Sequence, residues 1–119
     1  MPYDQLDRMQ LRVLPLSERR NKVVIEEDYV SLDEHPTWLP NDGWAAVAET
    51  ASRMRLARNS GAPIMMAFGA HTIKNGLAPV LIRLMEEGWL DHLATNGAGI
   101  IHDWEFAFQG ESSEDVKGY

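Results

Sequence analysis

The alternation of apolar and polar positions sets out a repeating order of elements. From Trp44 the apolar residues fall at 44, 47, 48, 51 and 54, the spacing of one helical face. Arg53, Arg55 and Arg58 gather toward its end, where positive charge suits the helix dipole, and Asn59-Ser60-Gly61 is a stop signal. Asn41 or Asp42 is placed to cap its start. The run Ala62–Phe68 is then apolar throughout, short and bounded by glycines, which predicts a strand covered on both faces, as in a parallel sheet. A second helical face follows at Leu77, Val80, Leu81, Leu84 and Met85, with a start near Asn75 or Gly76 that leaves Pro79 in the first turn. Leu90–Thr95 reads as a further strand, and His102 onward as a further helix reaching at least Phe108.

Upstream, residues 1–22 are charged and mixed and read as an irregular arm. Val23–Ile25 with Tyr29–Val30 forms a candidate strand interrupted by acids, and Asp33–Gly43, with two prolines, a connecting loop. The order strand, helix, strand, helix, strand, helix predicts an α/β fold, three layers deep in the αβα sense, with a parallel sheet and right-handed crossovers. We divide the chain into an arm with a candidate strand (1–40) and a partial α/β domain (41–119). The polar tail Gly110–Tyr119 offers Ser113-Glu114-Asp115 as the cap of a helix with no room to continue, so the domain is expected to be incomplete.

Composition narrows the classes of function. The chain has 119 residues, enough for at most one domain, and 45% hydrophobic residues, enough for a core. Its 18 acidic and 11 basic residues give a net charge of −7, with no basic stripe to neutralise phosphates, so nucleic acid is not expected as the main partner. The absence of cysteine excludes disulfides, thiolate metal sites and cysteine nucleophiles. The N-terminus lacks a basic start followed by an apolar run, and the apolar stretches are too short for a membrane span. A cytoplasmic location without membrane contact is the expectation.

Two glycine-punctuated turns carry the candidate chemistry. Thr95-Asn96-Gly97-Ala98-Gly99 lies between an expected strand and an expected helix. Its glycines let the backbone approach a ligand, and helix-start N–H groups favour an anion such as a pyrophosphate; the same residues also suit a tight turn without ligand. The third glycine of the standard dinucleotide fingerprint is missing. Phe68-Gly69-Ala70-His71 is the companion turn, with His71 set to point into the same crevice or to bond backbone, and with Lys74 and Asn75 near the next helix start, in reach of a phosphate or ribose. In a parallel sheet such turns line up at the carboxyl ends of neighbouring strands, where open α/β folds bind nucleotides.

His102, Asp103 and Glu105 form a polar knot among Ile100, Ile101, Trp104, Phe106 and Phe108. Acids at a helix start are favourable on dipole grounds alone. The functional alternative makes Asp103 or Glu105 a holder of a ligand amine or ribose hydroxyl and His102 a proton carrier. A third reading joins His71, His102 and Glu105 as metal ligands, and ranks lowest, so no metal is expected. His35 and His92 stand apart from these motifs.

On Gly69-Ala-His-Thr-Ile-Lys-Asn-Gly-Leu77 and Thr95-Asn-Gly-Ala-Gly-Ile-Ile-His-Asp103, continued by Gly110–Val116, the chain resembles the deoxyhypusine synthase-like family, especially bacterial members of uncertain substrate. The resemblance spans about residues 62–116, and the pair of motifs at this separation is more specific than either alone. It implies a Rossmann-like domain binding NAD, in a transferase family whose best-known member moves the aminobutyl group of spermidine to a protein lysine. It assigns cofactor contact to Gly69, Ala70, His71, Lys74, Thr95, Asn96, Gly97, Ala98 and Gly99. His102 and Asp103 fall where the family places polyamine and nicotinamide, which makes them the candidate catalytic residues, with Asp103 and Glu105 as candidate substrate contacts. Histidine stands at 102 where true synthases carry an acid, so the amine is left open. Family members are much longer, and no residue here matches their catalytic lysine. The short chain is therefore expected to be inactive alone, and to work as a homo-oligomer or completed by further protein. A similar motif pair occurs, less closely, in an ornithine-cyclising family with a related NAD-binding domain. The competing class is a binding or assembly module without chemistry.

Overall fold

A computed structural model describes residues 3–35 and 38–118. Met1, Pro2, Pro36, Thr37 and Tyr119 lie outside the described residues, and with them part of the expected two-proline loop. The elements, in chain order, are β1 (Asn21–Val24), α1 (Ile25–Asp28), α2 (Asn41–Ser60), β2 (Met65–Phe68), α3 (Ala70–Lys74), α4 (Ala78–Glu86), β3 (His92–Thr95), α5 (Gly97–Gln109) and β4 (Glu111–Glu114). The fold is mixed α/β, and one of its two small sheets is parallel.

Each long helix ends where its sequence provides a stop. Gly61 takes the left-handed conformation (φ 72°) after α2, and the Ala62 N–H reaches back to the Ala57 carbonyl at 2.9 Å, closing the last turn. Arg58 lies over the Trp89 ring, 4.4 Å from its centroid, tying this end of α2 to the segment after α4. Pro79 lies in the first turn of α4, as the spacing required. Asn41 and Asp42 fall inside α2, which follows Pro40 without a side-chain cap.

The expected adjacency of the two apolar segments is observed. β2 and β3 pair in parallel with Met65 opposite His92 and Phe68 opposite Thr95, and α4 lies in the connection between them. Ile73, Leu81 and Leu90 are the buried hydrophobic centre, with Met54, Met66, Phe68, Leu84, Leu93 and Phe106 packed around it.

Four expectations need correction. β2 is covered on alternate residues only: Met66 and Phe68 are half-buried while Met65 and Ala67 are exposed, the period-two pattern of a strand packed on one face. The candidate strand near Val23–Val30 is a strand only to Val24, because Ile25–Asp28 turn into one helical turn, with the Asp28 carboxylate accepting from the Val24 N–H at 2.8 Å. That strand does not join the parallel sheet. It pairs antiparallel with β4, Val23 opposite Ser112, in the tail where a helix cap was expected. Finally, α5 begins at Gly97 rather than near His102, because the Asn96 side chain accepts from the Gly99 N–H at 3.0 Å and caps the helix there.

The chain exposes more surface than its size requires. Its accessible area is 9676 Å², whereas a compact monomer of 13.4 kDa exposes about 6,500 Å². The radius of gyration is 19.2 Å, against about 13.5 Å for a compact domain of this length.

Candidate functional site

Two turns of one geometry leave the ends of the parallel strands. Gly69 after β2 has φ −92° and ψ 173°, and Asn96 after β3 has φ −89° and ψ 169°. Each is the extended residue that precedes a helix, and the Phe68–Thr95 register sets them side by side. The Thr95 hydroxyl donates to the Phe68 carbonyl at 3.0 Å, locking the two strand ends together.

The glycines of these turns divide into two kinds. A Cβ on Gly69 or on Gly97 would meet nothing within 4 Å, so both backbones face open space at the strand-end edge. A Cβ on Gly99 would run into the Thr95 hydroxyl, so this glycine is required for helix-to-strand packing. Gly97 lies in the first turn of α5, where backbone N–H groups lack intrahelical partners.

Of the companion residues, Ala70 is half-buried and His71 exposed, both in the first turn of α3. Lys74 ends α3 instead of starting the next helix, because Gly76 reverses the chain in the left-handed conformation (φ 78°) before α4 begins. The turn residues Asn96, Gly97 and Ala98 are exposed.

Below the turns lies a cleft of about 290 Å³ between α4, α5 and the two strand ends. Thr95, Gly99 and Asp103 line it together with apolar side chains, including Phe68, Ile73, Leu81 and Ile100. Asp103 is thus a carboxylate on an otherwise largely apolar wall. With α5 starting at Gly97, Asp103 and Glu105 sit in the helix middle, and the helix-start account of these acids does not apply.

His102 and Glu105 belong to a separate buried cluster. Glu105 is 7% exposed and pairs with Arg19 of the arm, Nη1 to Oε1 at 2.6 Å. Ser112, fully buried on β4, donates its hydroxyl proton to Glu105 Oε2. His102 Nδ1 lies 2.6 Å from Ser112 Oγ and 3.8 Å from Glu105 Oε2. A serine has one proton to give and Ser112 gives it to Glu105, so His102 Nδ1–H donates to Ser112 Oγ. Burial pushes the Glu105 carboxyl up, but the hydrogen bonds from Arg19 and Ser112 and the charges of Arg19 and His102 outweigh it and hold the group below its ordinary 4.5. With its proton committed to a carboxylate and no access to solvent, Ser112 is not a nucleophile. The cluster fastens arm, helix and tail to one another.

Arg19 and Ser112 were missed in the sequence. Arg19 lies 86 residues from Glu105 and Ser112 in a tract of ordinary polar composition; the β1–β4 pairing holds the end of the arm beside the strand that follows α5. Among the described residues no group of three histidines or acids is assembled to hold a metal ion, so His71, His102 and Glu105 do not form the ligand set considered above. No helix among the described residues is long and apolar enough to cross a membrane. No family model, curated protein or solved structure matches the chain.

Proposed function

We propose that the chain binds a dinucleotide of the NAD type at the twin turns, in a Rossmann-like manner, and belongs to a deoxyhypusine synthase-like system acting on an amine. The observation that carries this reading is the pairing of two like turns, each with an open glycine, at the carboxyl ends of adjacent parallel strands. The residues present fit such a ligand: Gly69 and Gly97 leave room for close backbone approach, and the start of α5 favours an anion. Ala70, His71, Lys74, Thr95, Asn96, Ala98 and Gly99 complete the proposed cofactor set. The cofactor, when bound, accepts a hydride.

In this reading Asp103 holds the ammonium of an amine whose carbon chain lies along the apolar cleft. His102 does not line this cleft; it stands with Ser112 and Glu105 in the neighbouring buried cluster, where it supports α5. The chain alone does not complete aminobutyl transfer, since that reaction in the family runs through a lysine imine. Lys74 closes α3, and Lys22 is engaged with Asp115 at 2.9 Å. The competing reading, an assembly module without chemistry, draws on the exposed apolar surface of α5.

Calorimetric titration with NAD tests the proposal. Wild-type protein is expected to bind, and Gly97→Val to bind roughly tenfold more weakly, about 1.4 kcal/mol. The circular dichroism of this variant should be unchanged, because Gly97 is not at positive φ and its Cβ direction is open. Absence of affinity at millimolar NAD would remove the cofactor reading.

A further inference from the structure

A cavity of about 200 Å³ opens between α2 and the far end of α4, and it shares no residue with the Asp103 cleft. Ala51, Met54 and Arg55 line it from one face of α2, Leu84 from α4 and Trp89 from the turn that follows. Ala51, Met54, Leu84 and Trp89 are half-buried and make an apolar floor, whereas Arg55 is exposed and stands at the rim. Gly88 turns the chain in the left-handed conformation (φ 70°), and the Trp89 N–H closes on the Leu84 carbonyl at 2.8 Å, which returns the indole toward α2. Arg58 lies over that indole, 4.4 Å from the ring centroid, so a second positive charge stands beside the cavity.

These two arginines differ from their neighbours on the same helices. Arg53 is paired with Glu49 at 2.7 Å and Arg83 with Glu87 at 2.5 Å. Among the described residues, Arg55 and Arg58 have no carboxylate partner. Acids are not scarce, since the chain has 18 against 11 basic residues. The helix dipole accounts for Arg58, in the last turn of α2, but its influence fades before Arg55 is reached.

We propose that this cavity binds a small aromatic carboxylate, with its ring on Met54, Leu84 and Trp89 and its carboxylate on Arg55. An apolar cavity of about 150 Å³ takes one benzene ring, so the space here admits a single ring and little more. An indole and a thioether are favourable walls for a ring. The guanidinium fork matches a carboxylate and donates two parallel hydrogen bonds to it. An uncharged ring would leave Arg55 unanswered, and a cation would meet Arg55 and Arg58 as like charges. This inference does not rest on the dinucleotide reading.

Benzoate is the probe, titrated into the full chain while the methyl resonances of Met54 and Leu84 are followed by NMR. Both should move along one saturable curve, while the methyl of Met65, exposed on β2, stays in place. Benzyl alcohol and benzylamine keep the ring without the anion, and hexanoate keeps the anion without the ring. Each should bind at least about tenfold more weakly than benzoate. Arg55→Gln, at an exposed position, should weaken benzoate at least about tenfold and leave thermal unfolding unchanged. Arg53→Gln, which loses only the Glu49 partner, should bind benzoate as the wild type does. No saturable shift of Met54 at tens of millimolar benzoate, equal binding of benzyl alcohol or hexanoate, or equal losses at 53 and 55 would each overturn the proposal.

Discussion

Gly76→Ala is expected to be among the most damaging single substitutions in the chain. Gly76 is buried in the turn between α3 and α4 at φ 78°, and a Cβ there would overlap the Asp28 carbonyl oxygen and lie 2.7 Å from Tyr29 Cα. The same turn accepts the Val30 N–H on the Gly76 carbonyl at 2.9 Å, so the segment after α1 is held by this glycine and cannot retreat without losing that bond. The left-handed conformation costs an alanine about 1 kcal/mol, and displacing packed backbone adds about 1–3 kcal/mol. Gly61 is the internal control, since it also has positive φ (72°) but an open Cβ direction. Urea unfolding should show Gly61→Ala losing only the conformational part, about 1 kcal/mol, and Gly76→Ala losing several times as much. Equal losses would mean that the contact with residues 28 and 29 does not hold this turn.

The second large effect is expected at Glu105. Its carboxylate receives Arg19 on one oxygen and Ser112 on the other, with Arg19 and Glu105 side chains 17% and 9% exposed. Removing one partner of a pair this well sequestered costs about 3–5 kcal/mol, because the other charge stays behind without compensation. Arg19→Ala should therefore destabilise β1–β4 pairing and release the arm. The pH dependence has a definite sign. Folding lowers the Glu105 pKa, so its contribution is fully present above the ordinary value of 4.5 and is lost as the pH falls through the lower folded-state value. Stability of wild type should decline on acidification below about 4.5 more steeply than that of Glu105→Gln, which has no proton to take up at this position. Parallel slopes in acid unfolding followed by circular dichroism would show that the carboxylate is not held as described.

What could be read in advance was whatever depends on local periodicity. The face of α4 is written in Leu77, Val80, Leu81 and Leu84, its start in Pro79, and the end of α2 in Gly61, and these segments fold as their spacing requires. The parallel pair followed from the two apolar runs around α4. The misreadings arose where a distant partner decides. Glu111–Glu114 has no apolar alternation to mark a strand, and becomes one because β1 lies beside it. The sequence points to a later start for α5 because the glycines at 97 and 99 resemble turn residues, while the Asn96 cap makes both helical. In the candidate site the turns and Asp103 were legible from motif and position. The Arg19–Glu105–Ser112–His102 cluster was not, since its closing partner, Arg19, comes from the arm 86 residues away from Glu105.

Backbone amide chemical shifts during an NAD titration test the central claim that the two turns form one ligand site. The changes should concentrate on Gly69–His71 and on Asn96–Gly99 together, with one shared saturation curve, because the Phe68–Thr95 register sets both turns on the same edge. Changes confined to one turn, changes elsewhere in the chain, or none at millimolar cofactor would contradict it.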